Sequence, residues 1–309
     1  MKIVVIGAGA IGCFYGSLLA KAGEDVTFVA RGETLRHLQE QDLLVHSVWG
    51  DYSMAVHAID SSHLSEIRDC DLILLAVKST SLTSVLPQIE QLLASETKIL
   101  CLLNGIGNEE RLAETFGAER VIGGCAFVSV INEGAGRIQH LAKGDLAIGS
   151  WIKQTSSFLS ELRAAFTKAG VAVTLEENMK KAKWEKLLWN IRYNLITALT
   201  RTTVGEAVDS PYLYAILHEM TSEYINVAAS IGITFDLEKN KETFHPNQAV
   251  KQHKTSMLQD LEHGKKMELE ALVGYVIKIA KEQNVPVPTI ETIYQLLQFE
   301  EQKENLAHR

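Results

Sequence analysis

The chain has 309 residues, of which 46% are hydrophobic and 22% charged, with a formal net charge of −8. This length predicts about two domains of roughly 150 residues, and the composition excludes a disordered, collagenous or disulfide-framework protein. Thirty basic against 38 acidic side chains, without a long basic cluster, argue against a nucleic-acid partner.

Ile3 to Ala20 is uncharged, follows Lys2 and precedes Ala20-Lys21-Ala22, so it mimics a secretion signal. Four glycines interrupt that run, however, each costing about 1 kcal/mol relative to alanine in a continuous helix. They are better explained by a turn. No other apolar run approaches the ~20 residues that span a bilayer, so the chain reads as soluble and cytoplasmic, with no membrane partner. Cys13, Cys70, Cys101 and Cys125 are widely spaced and read as buried free thiols of a reducing compartment. The ten histidines show no ligand spacing, so no metal site is predicted.

Lys2 to Ile6 is a short β-branched run suited to a buried strand. It leads into Gly7-Ala8-Gly9-Ala10-Ile11-Gly12, then a helix over Cys13 to Lys21 with Gly23 as its C-terminal cap. Strand, glycine motif and helix in that order form a dinucleotide fingerprint. Gly7 permits the tight turn, Gly9 admits a pyrophosphate to the backbone and Gly12 lets helix pack on strand, with the first helical amides holding the anion. A second strand, Val26 to Ala30, ends at Arg31. An acidic residue near this position serves NAD by binding the ribose 2′-hydroxyl, whereas a guanidinium pairs with a 2′-phosphate. The predicted cofactor is therefore NADP(H), against the reading of Arg31 as a solvated loop residue.

Leu43 to Ile59 alternates around Gly50-Asp51 and predicts an antiparallel insertion. Cys70 to Val77 and Lys98 to Leu103 read as buried strands ending at Lys78 and Asn104. Ligands bind at the carboxyl ends of parallel strands, so both residues are cofactor-side candidates; a surface lysine and an ordinary Asn-Gly turn are the plainer readings. Short strands are expected over 121–149 and a last one over Val171 to Leu175.

Seventeen of the 21 glycines fall in residues 1–177, and four of the five prolines fall later. The fold class expected is α/β: an N-terminal Rossmann-type doubly wound sheet over 1–177, followed by an all-α C-terminal domain over 178–309. In the second part, Met179 to Thr200 reads as one largely apolar helix bearing Lys186, Asn190 and Asn194. Steps of four drift by about 40°, so the three form one polar stripe. Asparagine is a poor choice for an exposed helix interior, and two amides beside a lysine suit a substrate with carboxylate and carbonyl oxygens. Ser256 reads as the N-cap of a short helix that Gly264 ends, with Glu268 starting the amphipathic segment from Leu269 to Gln283. Capping and surface charge would account for Ser256 and Glu268 equally well.

These pieces together resemble the ketopantoate reductase (2-dehydropantoate 2-reductase) family over essentially the whole chain. The likeness rests on GAGAIG, Arg31, Val77-Lys78, LLNGIGNEE at 102–110, WEKLLWN at 184–190, Asn194, SMLQDL at 256–261 and Glu268. The resemblance implies NADPH-dependent reduction of a 2-keto acid, with 2-dehydropantoate giving (R)-pantoate for pantothenate and coenzyme A synthesis. It implies that Lys186 and Glu268 are catalytic, with Glu268 near nicotinamide and substrate, and that Lys186, Asn190, Asn194 and Ser256 bind substrate. It also places Asn104 where cofactor and substrate meet, Lys78 on the cofactor side, and a cleft closing over the cofactor. Two positions depart from the pattern: Val204 stands where several members have a substrate-contacting asparagine, and Leu195 where many have proline. Val204 keeps open a reductase for another branched or aromatic 2-keto acid. A non-catalytic NADPH-binding redox sensor would need the turn and Arg31 but not the stripe. The apolar C-terminal helices, including Ile290 to Phe299, offer a homodimer surface.

Overall fold

The computed structural model describes residues 1–152, 157–236 and 241–307. The chain divides into two compact units, Met1–Leu103 with Asn108–Ala182, and Asn104–Gly107 with Lys183–Arg309.

The first unit is built on ten strands among the described residues: β1 (Lys2–Ile6), β2 (Asp25–Val29), β3 (Leu43–Ser47), β4 (Tyr52–Met54), β5 (His57–Ile59), β6 (Leu72–Leu75), β7 (Lys98–Cys101), β8 (Val121–Gly134), β9 (Arg137–Ser150) and β10 (Val173–Leu175). They form one sheet ordered β4-β3-β9-β8-β7-β6-β1-β2-β5, with β10 paired to β9. From β8 to β5 every pairing is parallel. The continuous apolar runs follow from burial on both faces: Ile3 and Val5 pack into one core while Val4 and Ile6 pack into the other, and Leu72 and Leu74 alternate in the same way with Ile73 and Leu75.

Two expectations are corrected here. Residues 121–149 do not make short strands; β8 and β9 are 14 residues each and form one long antiparallel hairpin with register shifts. Its β-bulges let so long a ribbon twist and bend. The segment from Leu43 to Ile59 is only partly an antiparallel insertion. β3 and β4 pair that way across a turn at Gly50, but β3 also runs parallel to β9, and β5 extends the main sheet beside β2.

All four cysteines are buried, and burial pushes the thiols of Cys13 and Cys70 up to about 12. These two thiols are therefore protonated at neutral pH.

The second unit is helical among its described residues, with one core running from Trp184 through Tyr224 and Val276 to Leu297. Helix Pro211–Ser230 starts at Ser210, whose side chain accepts from Leu213 N–H, with Pro211 fixing the first turn. Tyr224 of this helix stacks on Trp184 and donates its hydroxyl to the Trp184 carbonyl at 2.7 Å, which anchors the middle of the Lys186-bearing helix Met179–Trp189. Glu223, buried beside it, accepts from the Thr289 and Ile290 amides at 2.9 Å each and so caps helix Pro288–Ala307. Within that helix Ile290, Ile293 and Leu297 pack into the unit's own core, leaving Leu296 and Phe299 exposed. No helix among the described residues is long and apolar enough to cross a membrane.

Candidate active site

In the first unit the glycine motif occupies the turn between β1 and helix Ala10–Lys21. Gly7 has φ +107°, and a Cβ there would lie 2.7 Å from the Ala76 carbonyl carbon and the Val77 nitrogen. A Cβ on Gly12 would overlap the Gly7 carbonyl oxygen. The fold itself thus requires both glycines. Gly9 differs: its φ of −90° suits any residue, and a Cβ there would meet nothing within 4 Å. Packing does not demand this glycine, whereas close approach of an anion to the backbone does. Gly9 caps the helix without a side-chain hydrogen bond, and no acidic residue occupies the first turn, so the initial amides face an open, positive helix end. This turn fits the diphosphate of a dinucleotide. Gly9→Ala is accordingly expected to leave the melting temperature unchanged while weakening binding of a nicotinamide dinucleotide by about tenfold, the equivalent of one lost charge-assisted hydrogen bond; isothermal titration measures the loss and a thermal melt its confinement to binding.

Arg31 follows β2 and is exposed as the extended residue that precedes helix Gly32–Glu40. Ile6 is in register with Val29, so Gly7 and Arg31 leave the carboxyl ends of adjacent parallel strands. Lys78 is half-buried at the start of a short 3₁₀ turn, just beyond the Ala76-Val77 segment that the Gly7 turn touches. β6, expected to reach Val77, ends at Leu75.

In the second unit, Lys186 lies half-buried on helix Met179–Trp189, and its Nζ donates to Asn104 Oδ1 at 3.1 Å. Two residues 82 positions apart in the chain thus meet. The single α-helix expected from Met179 to Thr200 is interrupted: Asn190–Asn194 form a π turn before α-helix resumes at Leu195–Thr200. Such turns insert a residue into the helical ladder and recur at functional sites. Asn190 and Asn194 are its first and last residues, so they are not members of a plain α-helical stripe. The turn is held from behind by Arg192, which is 1% exposed and donates to Thr221 Oγ1 at 3.0 Å and Leu217 O at 3.4 Å. Asn194 is 2% exposed, and among the described residues its Nδ2 has no hydrogen-bond partner. A buried donor left unmatched costs about 1–3 kcal/mol, and an oxygen-rich ligand would relieve it.

Thr255, not Ser256, caps helix Ser256–Glu262: its hydroxyl accepts from Leu258 N–H, while Ser256 is the exposed first helical residue. Thr255 also shares a 2.7 Å hydrogen bond with Thr197, three residues beyond Asn194, which fixes Ser256's helix against the asparagine-bearing segment. Gly264, at φ +62°, does end this helix, with Lys265 N–H returning to Asp260 O at 2.8 Å. Glu268 is half-buried two residues before a second π turn, Glu270–Gly274, which packs against the first. Neither π turn has a propensity signal, and sequence reasoning missed both.

The family model for ketopantoate reductase PanE/ApbA matches residues 3–153, and its C-terminal counterpart matches 178–301. The chain belongs to the ketopantoate reductase family. It is 31% identical to a 2-dehydropantoate 2-reductase from Pyrococcus horikoshii over 97% of this chain and 98% of that one. It is 32% identical to one from Mesorhizobium japonicum over 96% and 97%. A crystal structure of 2-dehydropantoate 2-reductase from Geobacter metallireducens superposes with a TM-score of 0.90 at 31% identity, covering 96% of this chain and 99% of the other. As a member of the ketopantoate reductase family this chain is an oxidoreductase. The departure at Val204 has a structural setting: its side chain is wholly buried in the helical core, and its N–H donates to His253 O at 3.1 Å. Position 204 here serves packing.

Proposed function

We propose that the chain is an NADPH-dependent 2-keto acid reductase that converts 2-dehydropantoate to (R)-pantoate, in the cytoplasmic route to pantothenate and coenzyme A. The observation that carries this reading is the Lys186 ammonium, held by Asn104 Oδ1 at 3.1 Å on a helix that continues into the asparagine-bearing π turn. Relatives named 2-dehydropantoate 2-reductase at about 30% identity over nearly the full chain support the substrate.

In this reading residues 1–177 bind the cofactor and 178–309 carry the substrate side chains, with Asn104 acting alongside the latter. The Gly7–Gly12 turn takes the diphosphate on its amides, Arg31 pairs with the 2′-phosphate, and Lys78 adds positive charge on the same side. When bound, the reduced nicotinamide supplies the hydride. Lys186 polarises the keto oxygen and donates the proton that oxygen needs as it becomes a hydroxyl, a general-acid role. The bond to Asn104 Oδ1 fixes one ammonium hydrogen and so directs another toward the substrate. Asn194 Nδ2 and Asn190 donate to the substrate's oxygens, Ser256 closes on its far end, and Glu268 orients the substrate and the nicotinamide side of the cofactor.

Val204 favours one competing reading, a reductase for another branched or aromatic 2-keto acid, because valine offers no hydrogen bond to a substrate hydroxyl. A panel of 2-dehydropantoate, 2-ketoisovalerate, 2-ketoisocaproate and phenylpyruvate, each assayed with NADPH, separates the two. The highest kcat/KM is expected for 2-dehydropantoate; a higher value for another acid would reassign the substrate.

A further inference from the structure

The second π turn has a consequence for Lys186. In an α-helix the Tyr275 N–H would bond the Ala271 carbonyl, four residues back. Here Tyr275 N–H instead reaches the Glu270 carbonyl, five residues back, which leaves the Ala271 oxygen to a partner outside the helix. That partner is the Ile106 N–H, at 2.9 Å. Ile106 belongs to the loop Asn104–Gly107, so the π turn and the loop carrying Lys186's hydrogen-bond acceptor are joined through one main-chain bond.

The loop is shaped for this contact. Gly105 has φ +83°, and a Cβ there would lie 2.6 Å from the Ala271 carbonyl carbon and overlap its oxygen. Gly107 has φ +87°, and a Cβ there would overlap the Tyr275 ring. Each glycine thus combines a left-handed backbone with close approach to the π turn, and no other residue type satisfies both. Ile106, between them, is buried in the helical core. The turn is braced on its other side, where the Tyr294 hydroxyl donates to the Glu270 carboxylate and Gly274 leaves room for that carboxylate to fold back.

We infer that Gly105, the Ile106 amide and the Ala271 carbonyl are positioning groups for the proton donor: the π turn frees the carbonyl that fixes the Asn104 loop, and Asn104 in turn fixes the Lys186 ammonium. An ordinary α-helix over 270–274 would withdraw that carbonyl into its own ladder and release the loop. This inference rests on the reading of Lys186 as the proton donor.

Gly105→Ala tests it. The expected result is a 10–100-fold fall in kcat, the usual effect of displacing a reacting group by about 1 Å, with the Kd for NADPH within about twofold of wild type and the far-UV circular dichroism unchanged. In a Lys186→Ala background the same substitution should lower kcat no further, because its effect passes through that lysine. If Lys186→Ala lowers kcat but folded Gly105→Ala does not, the positioning inference fails alone. Near-normal turnover by Lys186→Ala itself would remove the proton-donor reading and this inference together. Should Gly105→Ala not fold, replacing Ile106 by its α-hydroxy-acid analogue substitutes an ester oxygen for the N–H donor while keeping the side chain. A roughly tenfold loss of kcat is expected from that main-chain ester, and an unchanged kcat overturns the inference.

Discussion

Lys186→Ala is expected to lower kcat for 2-keto acid reduction by about 10²–10⁴-fold, the range that a positioned general acid contributes, with little change in NADPH affinity. The reason lies in what the side chain touches. Its Nζ donates to Asn104 Oδ1 within the helical unit, whereas the glycine turn proposed for the diphosphate belongs to the other unit. Alanine removes the proposed proton source and leaves the main-chain amides of residues 9–12 intact. A Lys186→Arg variant retains the charge, but its planar guanidinium scarcely gives up a proton at neutral pH; it should bind substrate and remain slow. Pre-steady-state measurement of NADPH oxidation reads the chemical step directly, and turnover within a few-fold of wild type would refute the assignment.

The second large effect is expected at Arg31. Charge-assisted hydrogen bonds contribute about 1.5–3 kcal/mol, so replacing the guanidinium by a carboxylate should cost NADPH on the order of 10²-fold in kcat/KM, while NADH, which lacks the 2′-phosphate, loses little. Arg31 is exposed and makes no side-chain hydrogen bond as a helix cap, so Arg31→Glu should fold normally. The ratio of kcat/KM for the two cofactors is the measurement. A variant that still prefers NADPH to the wild-type degree would show that Arg31 does not read the phosphate.

The parts of this molecule legible in the sequence are those governed by local rules. β1 could be read because a strand buried on both faces must be apolar throughout, and the turn because Gly7 and Gly12 are required by backbone clashes. The end of helix Ser256–Glu262 at Gly264 followed from the left-handed cap that glycine favours. What escaped prediction depends on partners distant in the chain. The length of the β8–β9 hairpin is set by pairing between its two strands, in which glycines and bulges are absorbed without ending the ladder. The π turns leave the apolar pattern almost unaltered, so periodicity reads through them. Thr255 and Ser256 are equally good caps by type, and the choice was made by Thr197, 58 residues away. Asn104 was recognisable as a strand-end asparagine, but its grouping with the helical unit was not: Ile106 N–H reaches Ala271, far along the chain.

The central claim, that this chain couples NADPH oxidation to reduction of a 2-keto acid, is tested most directly by product stoichiometry with the wild-type protein and 2-dehydropantoate. One pantoate formed for each NADPH consumed, in the R configuration and with Lys186→Ala suppressing both to the same extent, is the predicted result. Tight NADPH binding without oxidation by 2-dehydropantoate or any acid of the panel would contradict the claim and leave a cofactor-binding protein without turnover.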